Sequence, residues 1–122
     1  MKISFFIDDL SFFLDTYCRI YLCREKGWEK RETKIRRNTR NPVWDEKHLF
    51  DVMTSSSNPL NTLSLVVTLI SHSLMGKDEI VGHVIFCLDS AQKSVVQHWR
   101  QVEQSPHTVI TNWHTLIDPE EL

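Results

Sequence analysis

A chain of 122 residues has room for one hydrophobic core, and 41% hydrophobic and 25% charged residues with only three glycines exclude collagen-like and low-complexity classes. No run of about 18 apolar residues is available to span a bilayer, because Asp8, Asp9 and Asp15, or Thr68 and Ser71, cut the longest stretches. The net charge of -2 conceals segregation: eight bases face three acids between Arg24 and Arg40, and the rest of the chain is acidic.

The paired acids at Asp8 and Asp9 interrupt the first apolar run, and no small-residue cleavage site follows. A secretory leader is therefore not expected, and the chain reads as cytoplasmic. Cys18, Cys23 and Cys87 are an odd number, and the spacing of the first two puts them on opposite faces of one strand. Reduced, buried thiols are expected.

Residues 2–7 (KISFFI) have strand propensity. In 16–23, Cys18, Ile20 and Leu22 alternate with Tyr17, Arg19 and Tyr21, the pattern of a half-buried strand. Residues 33–37 read as a second strand whose outward side chains carry the basic charge. Residues 38–42 are turn formers, and a third strand is expected over 47–53. After a loop at Asn58-Pro59, Leu63, Leu65, Val67 and Leu69 alternate with Ser64, Val66 and Thr68 to give the best core strand. A polar loop over 71–79 contains Gly76, and 80–88 is rich in β-branched residues and reads as another strand. From 90 to 103 the period turns helical: Val95, Trp99 and Val102 fall at i, i+4 and i+7, with Ser90 placed to cap. Pro106 ends that helix, a closing strand follows over 108–116, and the acidic tail 118–122 frays. The expected class is all-β, antiparallel, with one short helix before the last strand.

No Gly-rich phosphate loop, nucleophile elbow, H-E-x-x-H or C-x-x-C occurs. The histidines (His48, His72, His83, His98, His107 and His114) have no ligand or triad spacing. Enzyme chemistry and a cofactor are not expected.

Four segments carry a family resemblance. Residues 34–46 (KIRRNTRNPVWDE), followed by Phe50-Asp51-Val52, are similar to the basic strand, N-P-V-[FW]-N-E turn and F-x-F-x-V strand of C2 domains. Residues 76–82 (GKDEIVG) resemble that family's segment after the third loop. His98-Trp99-Arg100 and Trp113-His114-Thr115-Leu116 look like the helix and closing W-H-x-L of the second, C-terminal C2 domain of synaptotagmins and synaptotagmin-like tandem C2 proteins. Asp15-Thr16-Tyr17 is a weaker match to D-P-Y. The resemblance covers residues 9–116 and implies a Greek-key β-sandwich. Because that family's domain begins well before its first-loop aspartates, 1–122 reads as a single C2 domain lacking its first strand at the N-terminus.

The resemblance also names the positions to inspect for calcium: Asp9, Asp15, Ser71, Ser73 and Glu79. The family's D-x-D is here Ser71-His72-Ser73. Ca²⁺ takes six to eight oxygen ligands, and losing two carboxylates removes much of the attraction that offsets its dehydration. No metal binding is expected. What remains is calcium-independent binding of phosphoinositide or phosphatidylserine headgroups through Lys30, Arg31, Lys34, Arg36, Arg37 and Arg40, in membrane trafficking or vesicle docking, peripheral at membranes. Glu29 and Glu32 interrupt the basic run and lower the expected lipid affinity. The alternative is a protein-interaction module of a tandem-C2 scaffold, whose partners would be trafficking proteins or another C2 domain. Nucleic acid, with Trp28 and Trp44 as stacking groups, is the weaker match to the same strand.

Overall fold

The computed structural model describes residues 3–7, 9–50, 62–105 and 110–118. The elements run β1 (Ile3–Ile7), β2 (Leu14–Cys23), β3 (Trp28–Glu32), β4 (Arg36–Thr39), β5 (Ser64–Ser71), β6 (Glu79–Phe86), α1 (Lys93–Gln104) and β7 (Ile110–His114). One antiparallel sheet has the order β3-β2-β5-β6, with β4 also on β2, and β1 and β7 form a second, two-stranded sheet.

Strand period and register build the core. Cys18 pairs with Leu69, Leu22 with Leu65, Leu65 with Phe86 and Val67 with Val84, so these side chains share one face of the large sheet. Helix α1 buries Val95, His98, Trp99 and Val102, a stripe at i, i+3, i+4 and i+7. Val95 and Trp99 join the sheet residues in one cluster. Phe86 is fully buried, with its ring centroid 5.3 Å from Phe5, 5.5 Å from His98, 5.8 Å from Trp99 and 5.3 Å from His114. His98 Nδ1 and His114 Nε2 lie 2.7 Å apart, joining α1 to β7.

Three expectations are corrected, and one ladder departs from the antiparallel pattern of the large sheet. Of the strand expected over 33–37, residues 33–35 are a break between β3 and β4, and the strand resumes only at Arg36. Thr33 Oγ1 accepts the Cys18 N–H at 2.8 Å in place of a ladder bond, and the Lys34 N–H turns outward to Glu46 Oε2 at 2.8 Å. Residues 47–50 form no strand, and 51–53 lie outside the described residues. Helix α1 starts at Lys93 with Gln92 as N-cap and no side-chain cap; Ser90 Oγ instead accepts the Gln92 N–H at 3.1 Å. The β1–β7 ladder is parallel, with Phe6 opposite Trp113. Their rings meet on the outside at 4.9 Å. The loop expected at Asn58-Pro59 and the first part of the closing strand, 108–109, also lie outside the described residues.

All three cysteines are free. Cys18 is buried, and burial pushes its thiol up to about 12; Cys23 and Cys87 are half-buried. The segment after β7 folds back onto β6 through reciprocal backbone bonds between His83 and Ile117 at 2.9 and 2.7 Å. That approach requires glycine at position 82, since a Cβ there would meet Ile117 O and Leu116 Cβ at 2.9 Å.

The face of the sheet away from the core buries His83, whose Nδ1 lies 2.9 Å from the Thr68 hydroxyl. Burial lowers its pKa from 6.5, so the folded chain holds it neutral and the unfolded chain takes up the proton first. Its contribution is complete above the unfolded value and is lost as pH falls through the lowered folded one. The melting temperature is expected to fall on acidification from about pH 7 to pH 5, with a smaller fall in His83→Gln. Identical pH slopes for both proteins would remove His83 from this role.

Candidate functional site

Two regions carry the predicted site residues: the basic edge beside β2, and the loops where β2 begins and β5 ends.

On the edge, β3 pairs with Arg19–Cys23 and β4 with Leu14 and Thr16, so both lie along the same side of β2. Alternation then sorts the charges. Glu29 and Arg31 share one face, while Trp28, Lys30 and Glu32 share the other with Arg19 and Tyr21. Most of the basic side chains have internal partners. Lys30 Nζ is 3.6 Å from Glu32, and Arg31 Nη2 is 3.5 Å from Glu29. Arg31 also donates to Leu49 O at 3.3 Å and lies 4.8 Å from the Phe50 ring centroid.

Arg36 donates to Val43 O at 3.0 Å and Trp44 O at 2.6 Å, fastening the N-P-V-W turn to β4. Arg40 donates to Leu10 O at 2.9 Å, and Arg37 lies 3.6 Å from Asp15. The Lys34 side chain is exposed. The structure therefore brings the six bases onto one edge, but Arg31, Arg36 and Arg40 serve as fasteners for neighbouring loops.

At the loop end, residues 9–13 enter β2 and residues 72–78 join β5 to β6; the His72 N–H donates to Asp15 O at 2.8 Å and ties the two loops together. Asp15 is half-buried, with Oδ1 accepting the Asn38 N–H at 2.7 Å. Asn38 itself takes φ 50°, a left-handed conformation that asparagine tolerates. Asp9 and Glu79 are exposed, and Ser71 and Ser73 are half-buried. Ser73 Oγ accepts the Met75 N–H at 3.3 Å. Among the described residues no three His, Cys, Asp or Glu side chains come together as a metal site.

The same end exposes four large apolar side chains: Phe12 at 72%, Phe13 at 65%, Leu74 at 78% and Met75 at 97%. Sequence reasoning assigned no role to the apolar residues of 10–14, and it passed over Leu74-Met75. The signal for the latter was an apolar pair inside an otherwise polar loop, followed directly by glycine. Arg40 lies 5.9 Å from the Phe13 ring centroid and Lys77 shares the 72–78 loop, but Asp9, Asp15, Asp78 and Glu79 belong to or border the same two loops, so the end is not strongly basic.

Asp78 was likewise not singled out. Its Oδ2 accepts the Tyr17 hydroxyl at 2.7 Å, its Oδ1 accepts the Ser73 N–H at 3.0 Å, and His72 Nδ1 stands 3.2 Å from Oδ1. The Tyr17 and Ser73 hydrogen bonds hold this carboxyl below its ordinary 3.8; Tyr17, desolvated and facing Asp78, is raised above 10.0. The contacts of the ionised carboxylate are therefore in place above the ordinary carboxylate range and weaken as pH falls through the lowered value.

No helix among the described residues is long and apolar enough to cross a membrane. Residues 7–102 match the family model of the C2 domain. The chain is 29% identical to human Synaptotagmin-3 over 111 residues, 90% of this chain and 18% of that protein. It is 32% identical to Synaptotagmin 1 of Drosophila melanogaster over 109 residues, 88% of this chain and 22% of that protein. It thus spans about a fifth of each of these relatives.

Among solved structures, a C2 domain of RIM from Drosophila aligns with a TM-score of 0.54 at 23% identity, covering 67% of this chain and 65% of that one. A C2 domain of plant Extended Synaptotagmin 1 aligns at 0.52 and 22%, covering 72% and 63%. With the antiparallel sheet, the helix before the last strand and the matched segment in agreement, the chain belongs to the C2 domain family.

Proposed function

We propose that this chain is a calcium-independent membrane-docking module of the second-C2-domain type, acting at the cytoplasmic face of membranes in trafficking or vesicle docking. The observation that carries this reading is the cluster of Phe12, Phe13, Leu74 and Met75 at one end, each 65–97% exposed. Isolated exposed apolar residues are ordinary, but a cluster on paired loops suits insertion into an interface. Lys30, Lys34 and Arg37, on the flank, would face anionic phosphoinositide or phosphatidylserine headgroups, while Arg31 is engaged by Leu49 O and the Phe50 ring. The contact between His98 of α1 and His114 of β7 supports the second-domain type, because it joins the two motifs that carry that resemblance.

Sedimentation with vesicles in the presence of a chelator tests the reading. Binding to phosphatidylcholine–phosphatidylserine vesicles is expected without calcium, with a modest gain from phosphoinositide and partial loss in high salt. Absence of binding at low salt sinks the proposal, and a micromolar calcium affinity by calorimetry sinks its calcium-independence.

A protein-interaction reading has one observation in its favour. Trp28 is 63% exposed and rests against Tyr21 at 5.6 Å, on an edge of alternating charge sign that suits a protein surface better than a uniformly anionic one.

A further inference from the structure

The 72–78 loop carries Leu74 and Met75 away from the sheet, and one carboxylate links its two ends. Asp78, just before β6, accepts the Tyr17 hydroxyl at 2.7 Å and the Ser73 N–H at 3.0 Å, with His72 Nδ1 3.2 Å away. Ser73 in turn accepts the Met75 N–H through its hydroxyl at 3.3 Å. Tyr17 is only 7% exposed, and Arg19 Nη2 donates to its hydroxyl at 3.3 Å. A continuous chain of bonds therefore runs from β2 through Tyr17, Asp78 and Ser73 to the backbone of Met75, the most exposed of the four apolar tips.

The Leu74 and Met75 side chains are exposed, so packing does not hold the tip extended against collapse onto nearby apolar surface. The loop's one glycine, Gly76, adds backbone freedom at that point. The geometry points to Asp78 as a positioning residue, a latch that anchors the loop to β2 through Tyr17 and holds Leu74 and Met75 outward for insertion into a lipid surface. This rests on the membrane-docking reading and adds to it how the tip is organised without a metal. A pre-set tip spares the ordering entropy that a loose loop would lose on binding.

Three variants of the full chain separate the possibilities: Asp78→Asn, Tyr17→Phe, and Leu74→Ser with Met75→Ser. Each is followed by amide hydrogen exchange, thermal melting, and partition onto phosphatidylcholine–phosphatidylserine vesicles in chelator. For Asp78→Asn, the Ser73 and Met75 amides are expected to exchange about tenfold faster with sheet amides unchanged, as for a local opening. Vesicle affinity should fall about three- to tenfold, the loss expected from undoing preorganisation. Tyr17→Phe should lie between this variant and the parent, because the Ser73 bond survives.

Unchanged exchange at Ser73 and Met75 in Asp78→Asn overturns the latch. Faster exchange with undiminished partition, while the Leu74/Met75 variant loses binding, overturns the positioning role and leaves the docking reading standing. If the Leu74/Met75 variant binds as the parent does, insertion by this tip falls, and the positioning role with it.

Discussion

Phe86→Ala is expected to cost the domain a third or more of its stability. The ring is fully buried and is met by Phe5 from β1, His98 and Trp99 from α1 and His114 from β7. It therefore joins the large sheet, the helix and the small sheet at one point. Truncation of a buried Phe costs about 3–5 kcal/mol when the surroundings cannot close the cavity. Here the walls come from three separate elements whose positions are set by their own backbone bonds, so collapse is restricted and the upper end of that range applies. Domains of this size have a total stability of about 5–15 kcal/mol, so the loss removes a third or more of it. Thermal melting by circular dichroism should show a drop on the order of 15 °C or more. Phe86→Leu, which keeps most of the volume, should cost under half as much; equal losses would show that the ring's shape and aromatic contacts, rather than the cavity, set the cost.

Particular residues explain which elements were legible in the sequence. Strand β5 was clear because Leu65, Val67 and Leu69 alternate through the centre of the sheet and are all buried, although Thr68 and Ile70 on its other face are buried as well. Strand β3 was not, because Trp-Glu-Lys-Arg-Glu at an edge has no apolar alternation. It is a strand only because Arg19–Cys23 of β2 offers it a ladder, which is a tertiary cause. The boundary with β4 was missed for a similar reason: Thr33 looks like a strand residue, and its substitution of a hydroxyl for a ladder bond to Cys18 appears only in three dimensions. The parallel β1–β7 pairing is a matter of topology, on which the local pattern is silent.

At the site, the sequence showed where the bases are but not what they hold. Arg36 reaches carbonyls seven and eight positions ahead, and Arg40 reaches back thirty residues to Leu10. Charge reversal at Arg36 would consequently test the fold of the 43–44 turn as much as any lipid contact. Lys30, Lys34 and Arg37 are the informative set, because none of them is a fastener of a neighbouring loop's carbonyls among the described residues. Asp78 escaped notice for the opposite reason. It sits inside the GKDEIVG segment as one acid beside another, and only the approach of Tyr17, 61 residues earlier, distinguishes it from Glu79.

Replacing Phe12, Phe13, Leu74 and Met75 together with serine is expected to weaken vesicle binding more than replacing Lys30, Lys34 and Arg37 with alanine. Full burial of such apolar side chains is worth about 1.5–3 kcal/mol each. If interfacial insertion realises even about half of that, four residues contribute on the order of 3–6 kcal/mol, a hundredfold or more in partition. A basic residue near an anionic leaflet is worth about 1 kcal/mol, but Lys30 and Arg37 already face Glu32 and Asp15, and the acids around the tips oppose the rest. Together the three bases should account for roughly 2 kcal/mol or less, a loss of about thirtyfold at most.

The two variants should also differ in kind. The serine variant loses binding at every salt concentration, because burial of apolar surface is not screened. The alanine variant differs from the parent at low salt and converges on it at high salt, where the Debye length has shrunk to a few ångström. Both sets of side chains lie on the surface, so thermal melts should match the parent and any loss of binding should be read directly. A serine variant that binds as the parent does, beside an alanine variant that does not bind at all, would transfer the docking surface from the loop end to the β3–β4 edge.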